Sequence, residues 1–383
     1  MLKSKDNEEY TFESKIGEGA FSEVFKVKQM STGQYFAAKR LTRHFENYEE
    51  VEDYTELKVL NKVSSHKNVA WIVDHIYEPD CARLTLIFHL MDYSLYDFIK
   101  DRKKTLSETR CKNYLFQLGH GLLYLHHIGI FHRDIKPENC LLRIDPNLAK
   151  TNLMRSELIQ LADLGSATFF QYPLPRSQYI STRWYRSPEC LLTRGYYGSK
   201  MDIWALGCVF YEMLTLHPLF PGISAIDQLD KIHCILGKPS DSILDRFKNR
   251  EIFNFKNRAP VDLYKLVPML SSYGVDVLKK MLAYHPDNRI SAKKLLEHVY
   301  FDDFRNKGNG DIITTRLLFT KSDTGSTTKL KKTRTSVSKV SSNNSNSSKV
   351  QAINELSNHK LERNWNNPKG SIKNSKSSIV GSD

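Results

Sequence analysis

Phe131-His132-Arg133-Asp134-Ile135-Lys136-Pro137-Glu138-Asn139 brings a carboxylate, a cation and an amide onto one short stretch. Asp134 can accept a proton from an attacking hydroxyl, Lys136 can hold a transferring phosphate, and Asn139 can ligate a metal ion, all at one reacting centre. Phosphoryl transfer is the chemistry these residue types fit at this spacing. Such a reaction also needs a phosphate cradle, a fixed cation and a further metal ligand.

Three segments offer them. In Ile16-Gly17-Glu18-Gly19-Ala20-Phe21-Ser22-Glu23-Val24 the glycines let backbone amides approach phosphate oxygens closely. G-x-G also occurs in ordinary tight turns, so this segment is weak evidence alone. Ala37-Ala38-Lys39 supplies a cation at a strand end, fifteen residues after Val24. Leu161-Ala162-Asp163-Leu164-Gly165 follows a short apolar strand; a lone Asp-x-Gly is more often a turn, but downstream of Asn139 it reads as a metal site.

Between these motifs the periodicity changes. Phe21 to Gln29 and Gln34 to Leu41 alternate apolar and polar residues around Ser31-Thr32-Gly33, which predicts a hairpin. Val51, Tyr54, Leu57, Leu60 and Val63 stand at helical spacing and predict one helix over Glu49 to Val63, with Glu56 on its inner face and Glu52 as the alternative. Arg83 to Leu90 returns to strand. Glu108 to His127 carries an apolar stripe, and Met201 to Leu216 is apolar nearly all round, as a central buried helix would be. Asn147 to Ser156 reads as an exposed excursion, and His217 to about Leu266 as a turn-rich insert. The fold class is α+β: a small β-rich lobe with one helix, then a larger helical lobe.

Charge separates the end of the chain. From Arg305 to Asp383 fifteen Lys or Arg stand against five Asp or Glu, so this stretch carries +10 of the formal +13 of the 383-residue chain. With runs such as Ser341-Ser342-Asn343-Asn344 and few aromatic residues, it reads as a disordered basic tail. Expected boundaries are an N-terminal extension at 1–9, a domain at 10–304 with lobes of about 10–90 and 91–304, and the tail at 305–383. Six scattered cysteines without a C-x-x-C pair or metal-ligand spacing fit a reducing compartment. There is no apolar leader and no stretch long enough to span a bilayer. Lys329-Leu330-Lys331-Lys332-Thr333-Arg334 would suit nuclear import, though charge runs are more often simply solvated.

Taken together, these motifs resemble the eukaryotic protein kinases from about Tyr10 to Phe304. Thr182-Arg183-Trp184-Tyr185-Arg186 and the insert after His217 resemble the CMGC group, which holds cyclin-dependent and mitogen-activated kinases. Gly17-Glu18-Gly19-Ala20-Phe21-Ser22-Glu23-Val24, Leu90-Met91-Asp92, Gly129-Ile130-Phe131-His132-Arg133-Asp134 and Tyr179-Ile180-Ser181-Thr182 resemble the MOK branch of the MAK/ICK/MOK (RCK) family. The resemblance implies a bilobal serine/threonine protein kinase that uses ATP and Mg2+. Asp134 would be the proton acceptor, with Lys136, Asn139 and Asp163 as catalytic partners and Asn139 and Asp163 holding the metal. Residues 16–24, Ala37, Lys39, Glu56, the gatekeeper Phe88, Met91 and Leu141 would line the nucleotide site. Thr182 would bridge Asp134 and Lys136, Asp202 would cap the catalytic loop, and Glu189 would pair with Arg289.

Several positions depart from the family pattern: Ser22 replaces a third glycine, Leu164 the usual Phe, Ser187 the common Ala, and His89 a hinge Glu. The family's T-x-Y activation motif reads Ser177-Gln178-Tyr179 here. A phosphate on Ser177 would pair with Arg133 and one on Tyr179 with Arg183 and Arg186. The resemblance further implies protein substrates with Pro or a small residue after the target and basic residues before it, an upstream activating kinase, a monomer, and a cytoplasmic location extending to the nucleus or cilium. The alternative is a pseudokinase or scaffold that keeps the fold for binding, its tail contacting nucleic acid or acidic surfaces.

Overall fold

Alternating strands at the start of the chain resolve into one antiparallel sheet. The structure, a computed structural model, describes residues 2–4, 7–149, 156–176, 182–247 and 253–305. Strands β1 (Leu2–Lys3), β2 (Glu9–Gly19), β3 (Ser22–Gln29), β4 (Tyr35–His44), β5 (Ile72–Glu78) and β6 (Arg83–His89) order as β1-β2-β3-β4-β6-β5. The expected hairpin is β3–β4, with Gly33 at φ 74°, a turn conformation glycine adopts freely. The residues before Tyr10, expected as an extension, supply β1, and Leu2 is buried against Tyr10, Val27 and Phe36 on the sheet's outer face. Register assigns the other face: Val24 stands opposite Lys39 and Ala37 opposite Phe88, so these four side chains share one surface.

The single helix expected over 49–63 is two: α1 (Tyr48–Asp53), capped by the Asn47 side chain, and α2 (Thr55–Lys62). The break is Tyr54, extended at ψ 124°. Its ring packs edge-on against Phe45, 5.4 Å between centroids, and its hydroxyl donates to Glu56 Oε2 at 3.1 Å. Anchoring that ring costs one turn of helix but holds the next carboxylate in place.

The larger lobe contains β7 (Tyr93–Ser94), α3 (Leu95–Ile99), α4 (Glu108–His127), β8 (Ile130–Phe131), β9 (Cys140–Ile144), α5 (Pro146–Ala149), β10 (Glu157–Leu161), β11 (Thr168–Phe169), α6 (Pro188–Leu192), α7 (Lys200–Thr215) and α8 (Ala225–Leu236), followed by short helices to Phe301. Helix α4 matches its expected span, begun by the Ser107 cap. Helix α7 is the buried centre foreseen, and it buries Asp202 and Glu212 along with its apolar residues. The excursion between β9 and β10 is shorter than expected: α5 is exposed at Pro146 to Leu148, but Ser156 is buried and its carbonyl accepts the Asp145 amide at 2.8 Å, closing the hairpin. Leu161 N–H donates to Asn68 at 2.9 Å and its carbonyl accepts from Ala70 at 2.8 Å, which ties this hairpin to the small lobe. Gly121 makes that junction possible, because a Cβ there would lie 2.4 Å from the Asn68 carbonyl oxygen. Ser177-Gln178-Tyr179 and the basic tail beyond Arg305 lie outside the described residues.

Candidate active site

The inner face of the sheet carries the first half of the site. Lys39 projects from β4 and donates to Glu56 Oε1 at 2.6 Å and to Asp163 Oδ1 at 2.8 Å. Of the two acids offered by the helical register, Glu56 is buried and meets Lys39 while Glu52 is exposed. Burial alone would lower the Lys39 ammonium pKa, but the Glu56 and Asp163 carboxylates outweigh it and hold the group above its usual value. Packing raises the Asp163 carboxyl's pKa and Lys39 more than reverses this, leaving it below the usual range. Gly165 fits this pair closely: a Cβ there would sit 3.2 Å from both Asp163 Oδ1 and Glu56 Oε2.

The glycine-rich segment is the β2–β3 turn, with Gly17 paired to Val24, Glu18 to Glu23 and Gly19 to Ser22. Lys15 straps it from outside by 2.7 Å bonds to Glu18 and Glu23. Phe21 at its tip is exposed and Ser22 is buried. Ile16, Val24, Ala37, Phe88, Met91 and Leu141 are all apolar and each is left partly or largely exposed, as the walls of a nucleotide cleft would be. Leu141 reaches this level because β9 pairs with β7, setting it opposite Ser94. The His89 ring packs against Trp71, 5.0 Å between centroids.

The second half is the loop 132–139. Asp134 Oδ2 accepts from Lys136 Nζ at 2.9 Å and from Asn139 Nδ2 at 3.0 Å; Asn139 Nδ2 also donates to the Asp134 carbonyl at 2.8 Å. Asp134 Oδ1 is buried and has no hydrogen-bond partner among the described residues. The two donations by Asn139 aim its NH2 inward and leave its amide oxygen as the end that could ligate a metal. Thr182 was expected to bridge Asp134 and Lys136; among the described residues it bonds to neither, and Lys136 contacts Asp134 directly.

Two left-handed backbones sharpen the loop, Arg133 at φ 67° and Asp163 at φ 61°. Neither is glycine, and such conformations persist only where the surroundings over-determine them. Asp202 from α7 does so for Arg133. Its Oδ1 accepts the Arg133 amide at 2.8 Å, and its Oδ2 accepts the His132 amide at 3.0 Å and lies 2.9 Å from His126 Nε2. Burial raises the Asp202 carboxyl's pKa, but these donors pull it net below the usual range.

His132 stood inside the quoted motif without a role. Its buried Nδ1 accepts the Asp134 amide at 3.3 Å, so Nε2 carries the proton and donates to the Ala162 carbonyl at 3.0 Å. One ring thereby spaces the Asp134 loop from the strand that delivers Asp163. Its complete burial has no sequence signal beyond its place between Phe131 and Asp134. Below, Arg289 donates to Glu189 at 2.6 and 3.0 Å, both side chains fully buried. Arg183 donates to the Ile223 carbonyl at 2.8 Å, Arg186 is half-buried, and Arg133 donates to the Ser166 carbonyl at 2.6 Å and the Tyr197 hydroxyl at 3.2 Å. Among the described residues no helix is long and apolar enough to cross a membrane, and no cluster of three His, Cys, Asp or Glu could hold a metal.

A family model described as "Protein kinase domain" matches residues 10–301. The chain is similar to "MAPK/MAK/MRK overlapping kinase" of Homo sapiens, 41% identical over 295 residues, which are 76% of this chain and 67% of that protein. The mouse protein of the same name is 41% identical over 291 residues, 75% of this chain and 66% of its own length. "Serine/threonine-protein kinase MAK" of Rattus norvegicus is 36% identical over 295 residues, 76% of this chain but 45% of that protein. The chain thus spans about two thirds of the first two relatives and under half of the third.

Proposed function

The chain belongs to the protein kinase domain family, and from that premise we propose that it is a serine/threonine protein kinase transferring the γ-phosphoryl group of ATP, with Mg2+, to Ser or Thr hydroxyls of protein substrates. The observation that carries this reading is Asp134. One of its oxygens is held by Lys136 and Asn139 while the other is buried and has no partner among the described residues. A carboxylate in that state is a proton acceptor in need of a donor, and a substrate hydroxyl supplies one. Lys39, locked by Glu56, would hold the nucleotide's phosphates, and the lining from Ile16, Val24, Ala37, Phe88, Met91 and Leu141 would take the adenine.

The donor set fits a hard divalent cation. Asn139 Oδ1 and the Asp163 carboxylate offer two oxygens, and a magnesium ion bound by one or two protein oxygens completes its shell with phosphate oxygens and water. Bound there, it would neutralise charge developing on the transferring group. Asp134 would accept the hydroxyl proton at Oδ1, Lys136 would shift from Asp134 to the phosphate, and His132 and Asp202 would keep the base in place meanwhile. With Lys39, Asp134, Lys136, Asn139 and Asp163 all assembled, a binding-only role has no observation in its favour.

Pro or a small residue after the target, basic residues before it, an upstream kinase acting on Ser177 and Tyr179, and a monomeric enzyme in the cytoplasm, nucleus or cilium complete the proposal. Their support is the resemblance to the MAK-related kinases. The deciding assay is phosphorylation of a basic protein substrate with MgATP by the full chain. Asp134→Asn should cut the rate by about 10²–10⁴ while leaving nucleotide affinity near wild type. Equal rates in the variant would remove Asp134 from the reaction.

A further inference from the structure

Tyr54 lies outside the reacting centre, yet it is the residue at which the helix breaks into α1 and α2. Its hydroxyl donates to Glu56 Oε2 at 3.1 Å while Lys39 Nζ donates to Oε1 at 2.6 Å, so both oxygens of a carboxylate only 2% exposed are engaged. A swing of Glu56 away from the sheet would break both bonds together. Burial first, and the Glu56 charge next, raise the Tyr54 phenol's pKa above its usual value, so the group stays a donor at neutral pH.

The Tyr54 ring is anchored from the strand that carries Lys39. Arg43, four residues beyond Lys39 on β4, lies over the Phe45 ring at 4.9 Å from its centroid and over the Tyr54 ring at 5.7 Å, and it pairs with Glu50 of α1. Phe45, against which Tyr54 packs edge-on, is fully buried. Its amide donates to the Ala82 carbonyl at 2.9 Å and its carbonyl accepts the Tyr77 hydroxyl at 2.7 Å. The backbone of Tyr54 is held as well: its amide donates to the Val51 carbonyl at 3.1 Å and its carbonyl accepts the Lys58 amide at 3.0 Å. Strand β4 and helix α2 are therefore joined twice, once through the Lys39–Glu56 ion pair and once through the ring of Tyr54. An ion pair alone leaves the long Glu56 side chain its torsions, and a second donor on a fixed ring removes that freedom.

We propose that Tyr54 is a positioning residue for the phosphate-binding half of the site, its hydroxyl fixing Glu56 so that Lys39 is presented to the phosphate oxygens of a nucleotide. This role rests on the kinase reading of the cleft, and Tyr54 reaches the nucleotide only through Glu56 and Lys39.

The test sets binding beside turnover on the full chain: calorimetric affinities for ATP with magnesium and for adenosine, steady-state peptide phosphorylation, and a thermal melt. Adenosine enters the same apolar cleft but brings no phosphate to Lys39, so it reports general damage to the lobe. Tyr54→Phe keeps the ring and removes the hydroxyl. ATP should bind about three- to fivefold more weakly and kcat should fall on the order of tenfold, together the loss of one hydrogen bond to a charged group. Adenosine affinity and the KM for peptide should stay within about twofold, because neither depends on Lys39. Glu56→Gln should weaken ATP by itself, and adding Tyr54→Phe to it should cost less than about twofold more, because both act through one carboxylate. Should Tyr54→Phe fail to fold, Arg43→Gln, at a half-exposed side chain, carries the comparison with a smaller loss confined to ATP. Equal weakening of ATP and adenosine, wild-type ATP affinity in Tyr54→Phe, or additive losses in the double variant would overturn the role of Tyr54 and leave the kinase reading standing. Wild-type protein that binds no ATP would sink that reading, and the role of Tyr54 with it.

Discussion

Asp202→Asn should damage catalysis without touching any reacting group. In the native loop Oδ1 takes the Arg133 amide and Oδ2 takes the His132 amide, so both carboxylate oxygens face backbone donors. Asparagine has one oxygen. Whichever way its amide turns, an NH2 meets a backbone N–H, and the least damaging orientation sacrifices the single bond to Arg133. An orphaned buried donor costs ~1–3 kcal/mol, and the remaining bond loses its charge assistance, so the total is ~2–4 kcal/mol. Arg133 is also left-handed, a conformation that costs ~1–2 kcal/mol by itself. Without its carboxylate anchor that residue relaxes, and Asp134, its neighbour, moves with it.

A displacement of about 1 Å at a catalytic group costs roughly 100-fold in rate, so kcat for peptide phosphorylation should fall by that order. The KM for ATP should stay within about twofold, because Asp202 bonds directly to neither Lys39 nor Glu56. For a domain of roughly 300 residues the entropy of unfolding is ~0.6 kcal/mol/K, so melting should drop by ~3–7 °C. Steady-state kinetics and a thermal melt on the same preparation check both arms. A variant with wild-type kcat, or with a melting temperature within about 1 °C, would refute the claim that Asp202 holds the loop through these two amides.

Other outcomes follow from single contacts. Arg289→Leu strands the fully buried Glu189 carboxylate and should cost ~3–5 kcal/mol, while Glu189→Leu combined with it should recover much of the loss in a double-mutant melt. Gly165→Ala puts a methyl 3.2 Å from Asp163 Oδ1 and Glu56 Oε2, so phosphorylation should fall with little change in melting; unchanged activity would show that the two carboxylates have room to spread. Glu212 accepts the Tyr185 hydroxyl at 2.7 Å, and its carboxyl is pushed up to about 7, first by burial and then by the Glu138 charge. The folded state therefore keeps a proton that the unfolded chain releases above its ordinary value of 4.5, and stability falls as pH rises from there to about 7 and then levels off. Glu212→Gln, which retains the Tyr185 bond, should melt higher than wild type at about pH 8 and not at about pH 4, and parallel curves across that range would count against the buried proton.

The legible parts were those where chemistry needs one residue type at one spacing. Lys39, Asp134, Asn139 and Asp163 could be read because few other arrangements use them together, and Glu56 because its helical register with Leu57 and Leu60 points it inward. The helix itself was misjudged at Tyr54. Apolar spacing cannot distinguish a residue that continues a helix from one that leaves it to pack edge-on against Phe45, nine positions earlier in the chain. Thr182 failed as a bridge for a similar reason: a hydroxyl's partner depends on where two loops end, and Lys136 reaches Asp134 first. Ser156 was placed in an exposed loop because the connection from Ile144 to Leu158 is longer than a tight hairpin needs, whereas its carbonyl closes the β9–β10 hairpin.

His132, which the motif left without a role, shares with Asp202, expected as the cap of the catalytic loop, a property that explains why motifs alone understate this site. His132 and Asp202 touch no substrate, yet each bonds backbone groups on either side of the base. His132 fixes the Asp134 amide against the Ala162 carbonyl, and so fixes Asp134 relative to Asp163, one residue beyond Ala162. Asp202 fixes the two amides before Asp134 from a helix that is buried at the centre of the lobe. Because these bonds go to main chain, they are insensitive to which side chains surround them, and the tilt of Asp134 is set by the packing of α7 rather than by the loop's own sequence. A substitution in the α7 core that rotates that helix should therefore reach Asp134 through Asp202. One that perturbs α4 without moving His126 should not, even though α4 packs on α7.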